Sequence, residues 1–174
     1  MKRVNITTKD SCHFAECWEL YESAFPENER RTLEYQIETM QRTSYHFDAL
    51  VDGESLIGVI GWWDFDNIRY IEHLATLPSL RNGGWGKKIL GAFKQESSTM
   101  ILLEVEHPTD DITHRRIGFY EREGFTLNVH PYSHPPYIGD ERVELLVMTY
   151  PSPISESGLL EFTQKMFPMV HFRQ

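Results

Sequence analysis

A run of glycines between an apolar segment and a helix-like segment constrains this chain more than any other feature. The run is Arg81-Asn82-Gly83-Gly84-Trp85-Gly86-Lys87, and it follows the apolar residues 70–77. Ile89, Leu90 and Phe93 come next, with the spacing of one helix face. Glycines between a strand and a helix let the backbone turn tightly and bring several N–H groups close to a ligand. Because the helix dipole favours an anion at the helix N-terminus, the run predicts a phosphate-binding turn.

Two common phosphate-binding motifs do not fit this run. A Rossmann fingerprint requires G-x-G-x-x-G, but Ile89 occupies the third glycine position. A Walker A loop requires G-K-[ST], but Lys88 follows Gly86 and Lys87. The run instead resembles the R/Q-x-x-G-x-G/A signature of the GNAT superfamily, the acyl-CoA-dependent N-acyltransferases. Taken alone, the same residues are also compatible with a turn that only caps a helix.

A second motif supports the same family. The segment Ile117-Gly118-Phe119-Tyr120-Glu121-Arg122-Glu123-Gly124-Phe125 resembles the F-Y-E-x-x-G-F element that GNAT proteins carry after their fifth strand. Gly124 is well suited to end a helix in the left-handed conformation. A buried aromatic with a satisfied hydroxyl is the alternative reading of Tyr120. Two motifs in the family's order, with a predicted strand at residues 100–106 between them, identify the chain as similar to GNAT proteins.

The order of the predicted elements agrees with this resemblance: strand, two helices, three strands, helix, strand, helix, two strands and a tail. We expect Asp10 or Ser11 to cap the first helix, the second helix to cover about residues 29–41, and the closing strand to cover residues 143–150. The resemblance implies an α/β (α+β) fold of the GNAT type. Its mixed, mostly antiparallel seven-stranded sheet is flanked by helices, and its fourth and fifth strands splay apart to admit CoA. We expect one acetyltransferase domain over residues 1–150. Residues 151–174 are expected to form a helical tail, capped near Ser155 or Ser157, that packs on its own domain or on a second copy of the chain.

The composition is that of a packed globular protein, since 40% of the 174 residues are hydrophobic and 13% are aromatic. The formal net charge of −9 argues against a nucleic-acid partner, because such proteins carry basic patches that neutralise phosphates. The same charge would attract a cationic amine, or would serve only solubility. No apolar run approaches the roughly 20 residues of a membrane span, so we expect no membrane partner.

The N-terminus and the cysteines favour a cytoplasmic location. Met1-Lys2-Arg3 leads directly into a strand-like segment, with no signal-peptide core. Cys12 and Cys17 lie five residues apart on a predicted helix, and this spacing points the two thiols in different directions. We therefore expect free thiols and a reducing compartment.

The resemblance implies that acetyl-CoA is the acyl donor. Its pyrophosphate would bind the amides of the glycine-rich run, and its pantetheine arm would pair with the fourth strand as an added strand. One backbone N–H of that strand would hold the thioester oxygen. The chain departs from the family at Thr113 and Arg116, where an asparagine and an alanine are usual. The predicted cofactor-binding residues are Leu74, Ala75, Thr76, Arg81, Asn82, Gly83, Gly84, Trp85, Gly86, Lys87, Thr113 and Arg116.

The resemblance also implies the catalytic acid. Tyr120 would protonate the departing CoA sulfur, since a phenol remains protonated at neutral pH. The amine would attack directly in a ternary complex, because no serine or cysteine elbow indicates a covalent acyl-enzyme.

Glu72 is the preferred general base, because an acidic residue inside an apolar strand needs a specific reason to be there. A structural ion pair is the alternative reading of this residue. His73 is the second candidate base, although strand alternation predicts that it faces the other side of the strand. A water relay to another carboxylate is also open.

The sequence does not identify the amine acceptor. The resemblance places its pocket beside the loop at residues 26–31 and the connection at residues 130–137. His130 and His134 lie in that connection, but its prolines exclude helical ligation and no carboxylate or cysteine has matching spacing. We therefore expect no metal. A catalytically inactive acyl-CoA-binding sensor is the alternative function.

Overall fold

The structure is a computed structural model that describes residues 1–172. The chain divides into two compact units, of which the first is Met1–Thr99 and the second begins at Met100. The glycine-rich run lies in the first unit, and the helix that carries Tyr120 lies in the second.

The first unit contains four antiparallel strands paired in the order β1 (Lys2–Asn5), β2 (Tyr45–Asp52), β3 (Ser55–Phe65) and β4 (Ile68–Thr76). Its helices are α1 (Phe14–Ala24), α2 (Leu33–Thr39) and α3 (Trp85–Gln95). Short 3₁₀ turns cover Glu27–Glu29 and Pro78–Leu80. The predicted strands and helices of this half are all present, with boundaries that differ by a few residues.

Two helix starts differ from the sequence-based expectation. α1 has His13 at its N-cap, rather than Asp10 or Ser11, and His13 adopts a left-handed conformation with φ of 66°. The second helix was expected from about residue 29, but α2 begins at Leu33. The reason is local, because the Thr32 side chain accepts a hydrogen bond from the Tyr35 amide and so caps the helix there.

β4 contains a bulge at Glu72. Gly61 of β3 lies opposite His73, whereas the next residue, Trp62, lies opposite Ile71, so Glu72 is the extra residue of β4. A bulge of this kind bends the strand and re-aims the side chains beside it. Strict alternation therefore does not hold at this point of β4.

The second unit contains β5 (Met100–Val105), α4 (Asp111–Arg122), β6 (Thr126–Asn128), β7 (Ser133–His134), β8 (Val143–Glu144), β9 (Leu146–Tyr150) and α5 (Glu156–Val170). β9 pairs antiparallel with β5 and with β6. The closing strand was expected over residues 143–150, but residues 143–144 instead pair with β7 in a separate hairpin. The predicted tail helix is present as α5, and Ser155 caps it by accepting from the Gly158 amide.

None of the helices formed by residues 1–172 has both the length and the apolar character needed to cross a membrane. Both cysteines are free thiols, as expected from the sequence. Cys17 is buried in α1, and burial raises the pKa of its thiol to about 12.

Candidate active site

The glycine-rich run forms a tight turn at the N-terminus of α3. Gly84 is the N-cap residue with φ of 76°, and Asn82 is also left-handed with φ of 65°. A left-handed conformation suits glycine, which carries no Cβ to clash with the backbone. The first helical hydrogen bond runs from the Lys88 amide to the Gly84 carbonyl oxygen at 3.2 Å. The amides of residues 85–87 precede that bond and point out of the helix end.

The surroundings of this turn favour an anion. No side chain among the described residues caps α3, and Arg81 and Lys87 are exposed at the two edges of the turn. A Cβ built on Gly84 would meet no atom within 4 Å, so the backbone there is open to a ligand. Uncapped amides, the helix dipole and flanking positive charge are the features that favour an anion such as a pyrophosphate, and the binding of CoA at this turn stays a prediction.

The predicted pantetheine-binding residues lie at the C-terminal end of β4. Leu74, Ala75 and Thr76 pair there with residues 58–60 of β3. β3 approaches β4 very closely at Gly58. A Cβ added to Gly58 would lie only 2.3 Å from the Ala75 carbonyl oxygen. The sequence therefore needs glycine at position 58 to hold this end of β4 in place.

Glu72 forms a buried ion pair. Arg31 donates two hydrogen bonds to its carboxylate, Nη1 to Oε2 at 2.8 Å and Nη2 to Oε1 at 2.7 Å. The indole Nε1 of Trp63 donates a third at 3.0 Å. The exposed fractions of the Arg31 and Glu72 side chains are 0% and 1%. Burial alone would raise the pKa of Glu72, but the Arg31 charge together with His73 holds it well below the usual carboxyl range.

This geometry is that of the structural ion pair, which was the alternative reading of Glu72. A carboxylate whose pKa is lowered stays ionised at neutral pH but is a weak base. The base role assigned to Glu72 is not tested by these contacts, and it stays a prediction. Arg31, the residue that matters most to the state of Glu72, lies 41 positions away in the chain. No local pattern links the two residues.

His73 does not face away from Glu72, so the prediction from alternation is wrong. Its Nδ1 lies 3.7 Å from the Glu72 carboxylate, and its ring packs against the rings of Tyr21 and Phe25. The bulge is the physical reason, because the extra residue in β4 brings the side chains of Glu72 and His73 to the same side of the strand. The other ring nitrogen of His73, Nε2, donates to the Glu29 carbonyl oxygen at 2.9 Å.

In the second unit, Tyr120 lies near the C-terminal end of α4 and is half-buried. Its ring packs against Phe119 and Phe125, and burial raises the pKa of its phenol to about 12. Within residues 1–172 the hydroxyl makes no hydrogen bond, so its proton is not committed to another protein group. Gly124 ends this helix region with φ of 89°, as the motif predicts.

Thr113 and Arg116 have structural partners in the same unit. The Thr113 hydroxyl and the Asp110 carboxylate form a reciprocal capping box at the start of α4. Arg116 is exposed and forms an ion pair with Glu106. The predicted contacts of both residues with CoA stay predictions.

A buried polar cluster in the second unit was not found from the sequence. The Tyr132 hydroxyl donates to Glu104 of β5, and burial beside that carboxylate raises the pKa of Tyr132 well above its ordinary value. His134 and His171 are also buried, with their Nε2 atoms 3.4 Å apart. Only the repeated aromatic and histidine residues of the segment 130–137 could have indicated it. Residues 1–172 contain no group of three or more side chains arranged to hold a metal ion.

Comparison with known proteins identifies the family. The model of the Acetyltransferase (GNAT) family matches residues 14–125 of this chain, which therefore belongs to the GNAT family. A protein of Bacillus subtilis (strain 168) named "Putative acetyltransferase YjbC" is 28% identical over 156 residues, covering 79% of this chain and 77% of the relative.

Solved structures confirm the fold. A solved structure described as "Putative acetyltransferase from GNAT family from Bacteroides thetaiotaomicron" is 37% identical and superposes with a TM-score of 0.91, covering 98% of both chains. An aminoglycoside 6'-N-acetyltransferase in complex with coenzyme A is 16% identical, with a TM-score of 0.61 over 89% of this chain and 99% of that one. The predicted fold class, a mostly antiparallel seven-stranded sheet flanked by helices, is confirmed.

Proposed function

We propose that this protein transfers an acetyl group from acetyl-CoA to a primary amine by direct attack in a ternary complex. The observation that carries the proposal is the N-terminus of α3, where left-handed Gly84 opens a row of uncapped amides between Arg81 and Lys87. Membership of the GNAT family supports acetyl transfer as the general activity. The coenzyme A complex of the aminoglycoside acetyltransferase supports the same choice of donor.

The donor side of the reaction uses backbone groups. The pyrophosphate is held at the turn of residues 82–87, chiefly by the amides of residues 85–87, since the Gly83 amide already donates to the Leu80 carbonyl oxygen at 3.2 Å. The helix dipole and two flanking cations complement its charge. The pantetheine arm extends β4 along Leu74, Ala75 and Thr76 as an added strand. One N–H of this stretch donates to the thioester oxygen and stabilises the negative charge that develops there.

The chemical step joins nitrogen to carbon and releases the thiol. The neutral amine attacks the thioester carbon, the tetrahedral intermediate collapses, and the C–S bond breaks. The departing sulfur takes the Tyr120 proton while this bond breaks, and solvent returns a proton to the phenolate. A phenol with a pKa of about 12 is fully protonated at neutral pH, so the acid is present in every turnover.

The amine must also lose a proton. Glu72 is the proposed acceptor of this proton, directly or through an ordered water. The Arg31 charge and His73 hold its pKa low, so Glu72 is ionised at neutral pH and, as a weak base, passes the proton on to solvent after accepting it. A relay of waters to another carboxylate is the competing route.

Release of free CoA thiol tests the proposal. Acetyl-CoA would be mixed with the protein and with lysine, spermidine, glucosamine or a short peptide, and the thiol followed with a chromogenic disulfide. We expect release that depends on both protein and amine. An acyl-CoA-binding sensor would instead bind CoA in a calorimeter and release no thiol with any amine, and this result would contradict the proposal.

A further inference from the structure

The segment at residues 25–31 is fixed to the β4 bulge at several points. Arg31 binds Glu72 through both guanidinium Nη atoms, and its own amide donates to the Tyr21 hydroxyl at 3.0 Å. The Glu29 carbonyl oxygen accepts from His73 at 2.9 Å. The Phe25 ring packs edge-on against the His73 ring, with centroids 4.6 Å apart.

These contacts are directional as well as buried. A carbonyl oxygen can only accept a hydrogen bond, so the contact with Glu29 places a proton on Nε2 of His73 and fixes the plane of the imidazole. The guanidinium fork of Arg31 fits a carboxylate in one orientation, and its aromatic neighbours Tyr35, Tyr45 and Trp63 hold it there. Glu72 and His73, which are adjacent at the bulge, therefore fix the position of the segment at residues 25–31.

In the proposed function, the thioester lies along residues 74–76 of β4, immediately beyond this bulge. The amine must then reach the thioester carbon beside the segment that packs on residues 72 and 73. Resting on the proposed function, we infer that Arg31 and His73 are positioning residues for the acceptor amine: they fix the segment 25–31 against the bulge of β4. Neither residue needs to touch the reacting atoms for this role.

Substitution of His73 tests this inference. His73→Leu removes the donor to Glu29, whereas His73→Gln keeps a side-chain N–H that can reach the same oxygen. With the best amine of the panel, His73→Leu should lower kcat/KM for the amine about 10–10²-fold, since a displacement of about 1 Å can cost that much. KM for acetyl-CoA should stay within about twofold of wild type, and His73→Gln should recover most of the loss.

A matched control and a second variant make the test decisive. His46→Leu removes a half-buried imidazole of the same unit, which stacks on Trp62 of the neighbouring strand, and should leave kcat/KM for the amine unchanged. Arg31→Lys keeps the positive charge but loses the paired hydrogen bonds to Glu72. It should lower kcat/KM for the amine as His73→Leu does, and it replaces His73→Leu in the test if His73→Leu folds poorly. An unchanged kcat/KM for the amine in folded His73→Leu, or a parallel change in KM for acetyl-CoA, would overturn the inference.

Hydrogen–deuterium exchange separates this inference from the proposed function. Amides of residues 25–31 should exchange faster in His73→Leu than in wild type, whether or not the protein is active. Wild-type protein that releases no thiol with any amine would remove the proposed function, while exchange would still show whether the segment is anchored. Unchanged exchange in this segment overturns the anchoring itself.

Discussion

At the scale of single residues, the partners of a side chain decide its chemistry more than its type does. Glu72 and Tyr120 are both titratable groups at least partly removed from water, and the pKa of each is shifted in the direction that keeps it in one protonation state at neutral pH. The Arg31 charge keeps Glu72 ionised, and burial keeps Tyr120 protonated. Each assignment can be tested by a substitution that preserves shape.

Glu72→Gln should destabilise the protein, because Arg31 would be left buried without its counter-charge. Loss of one partner of a buried pair typically costs about 3–5 kcal/mol, measured by denaturant or thermal unfolding. Since the folded-state pKa of Glu72 is depressed, its contribution is present at neutral pH and is lost as the pH falls from about 4 towards the folded-state value. The stability difference between wild type and variant should therefore shrink in acid.

The same variant tests the proposed base. If Glu72 takes the amine proton, the acidic limb of the pH–rate profile should shift or disappear in Glu72→Gln, with CoA binding unchanged. A profile that overlays the wild-type curve would contradict the base role and favour the water relay. Glu161→Gln is the control for stability, because Glu161 pairs with Lys165 on the exposed face of α5, where ion pairs contribute about 1 kcal/mol or less.

Tyr120→Phe should lower kcat about 10²–10⁴-fold, the usual effect of removing a general acid. The affinity for acetyl-CoA should change little, because the ring and its contacts with Phe119 and Phe125 remain. Steady-state thiol release and calorimetric binding of CoA measure the two quantities. Wild-type kcat in the variant, confirmed under single-turnover conditions, would show that Tyr120 only packs.

At the scale of elements, the anion site proposed at the N-terminus of α3 depends on amides that the helix itself leaves unpaired. Its amides need no side chain to bind an anion, but they need a backbone that a ligand can approach. The open space around Gly84 provides that access. The element as a whole, rather than one residue, makes the site.

If the pyrophosphate binds at this turn, Gly84→Asp should weaken CoA binding by tenfold or more, because it places a side chain and a negative charge at the proposed site. Gly53, in the same unit, provides a control for the backbone strain of an aspartate in the left-handed conformation. Gly53 also has positive φ, at 63°, and also has open space around its Cβ position. Gly53→Asp should show a similar thermal shift with wild-type CoA affinity, and equal losses of affinity in the two variants would argue against the site.

At the scale of the whole molecule, net charge influences which acceptors arrive quickly. The formal charge of −9 produces a field that attracts cations, and salt screens this field over about 10 Å at 0.1 M ionic strength. If the charge steers the acceptor, kcat/KM for spermidine should fall more steeply with added salt than kcat/KM for a weakly charged amine such as glucosamine. Parallel salt dependences would indicate that the charge serves solubility.

The sequence by itself determined the features that depend on neighbours in the chain. The turn at residues 81–87, the helix that follows it and the glycine after α4 were predictable, because glycine conformation and helix periodicity act within a few residues. The same local rules predicted the tail helix with a cap near Ser155 or Ser157, and α5 has Ser155 as its cap. The resemblance to the GNAT family was also visible in the sequence, since each of its two motifs is one continuous segment, and the family model confirms it.

Only the tertiary structure decided the features that depend on pairing between distant residues. The bulge at Glu72 exists because β3 and β4 shift register, and this shift turns His73 towards Glu72 against the expected alternation. Arg31 meets Glu72 from 41 residues away, so the sequence showed an acidic residue in an apolar strand but not its partner. Strand register and long-range ion pairs result from packing between distant segments, so the residue pattern within one segment does not predict them.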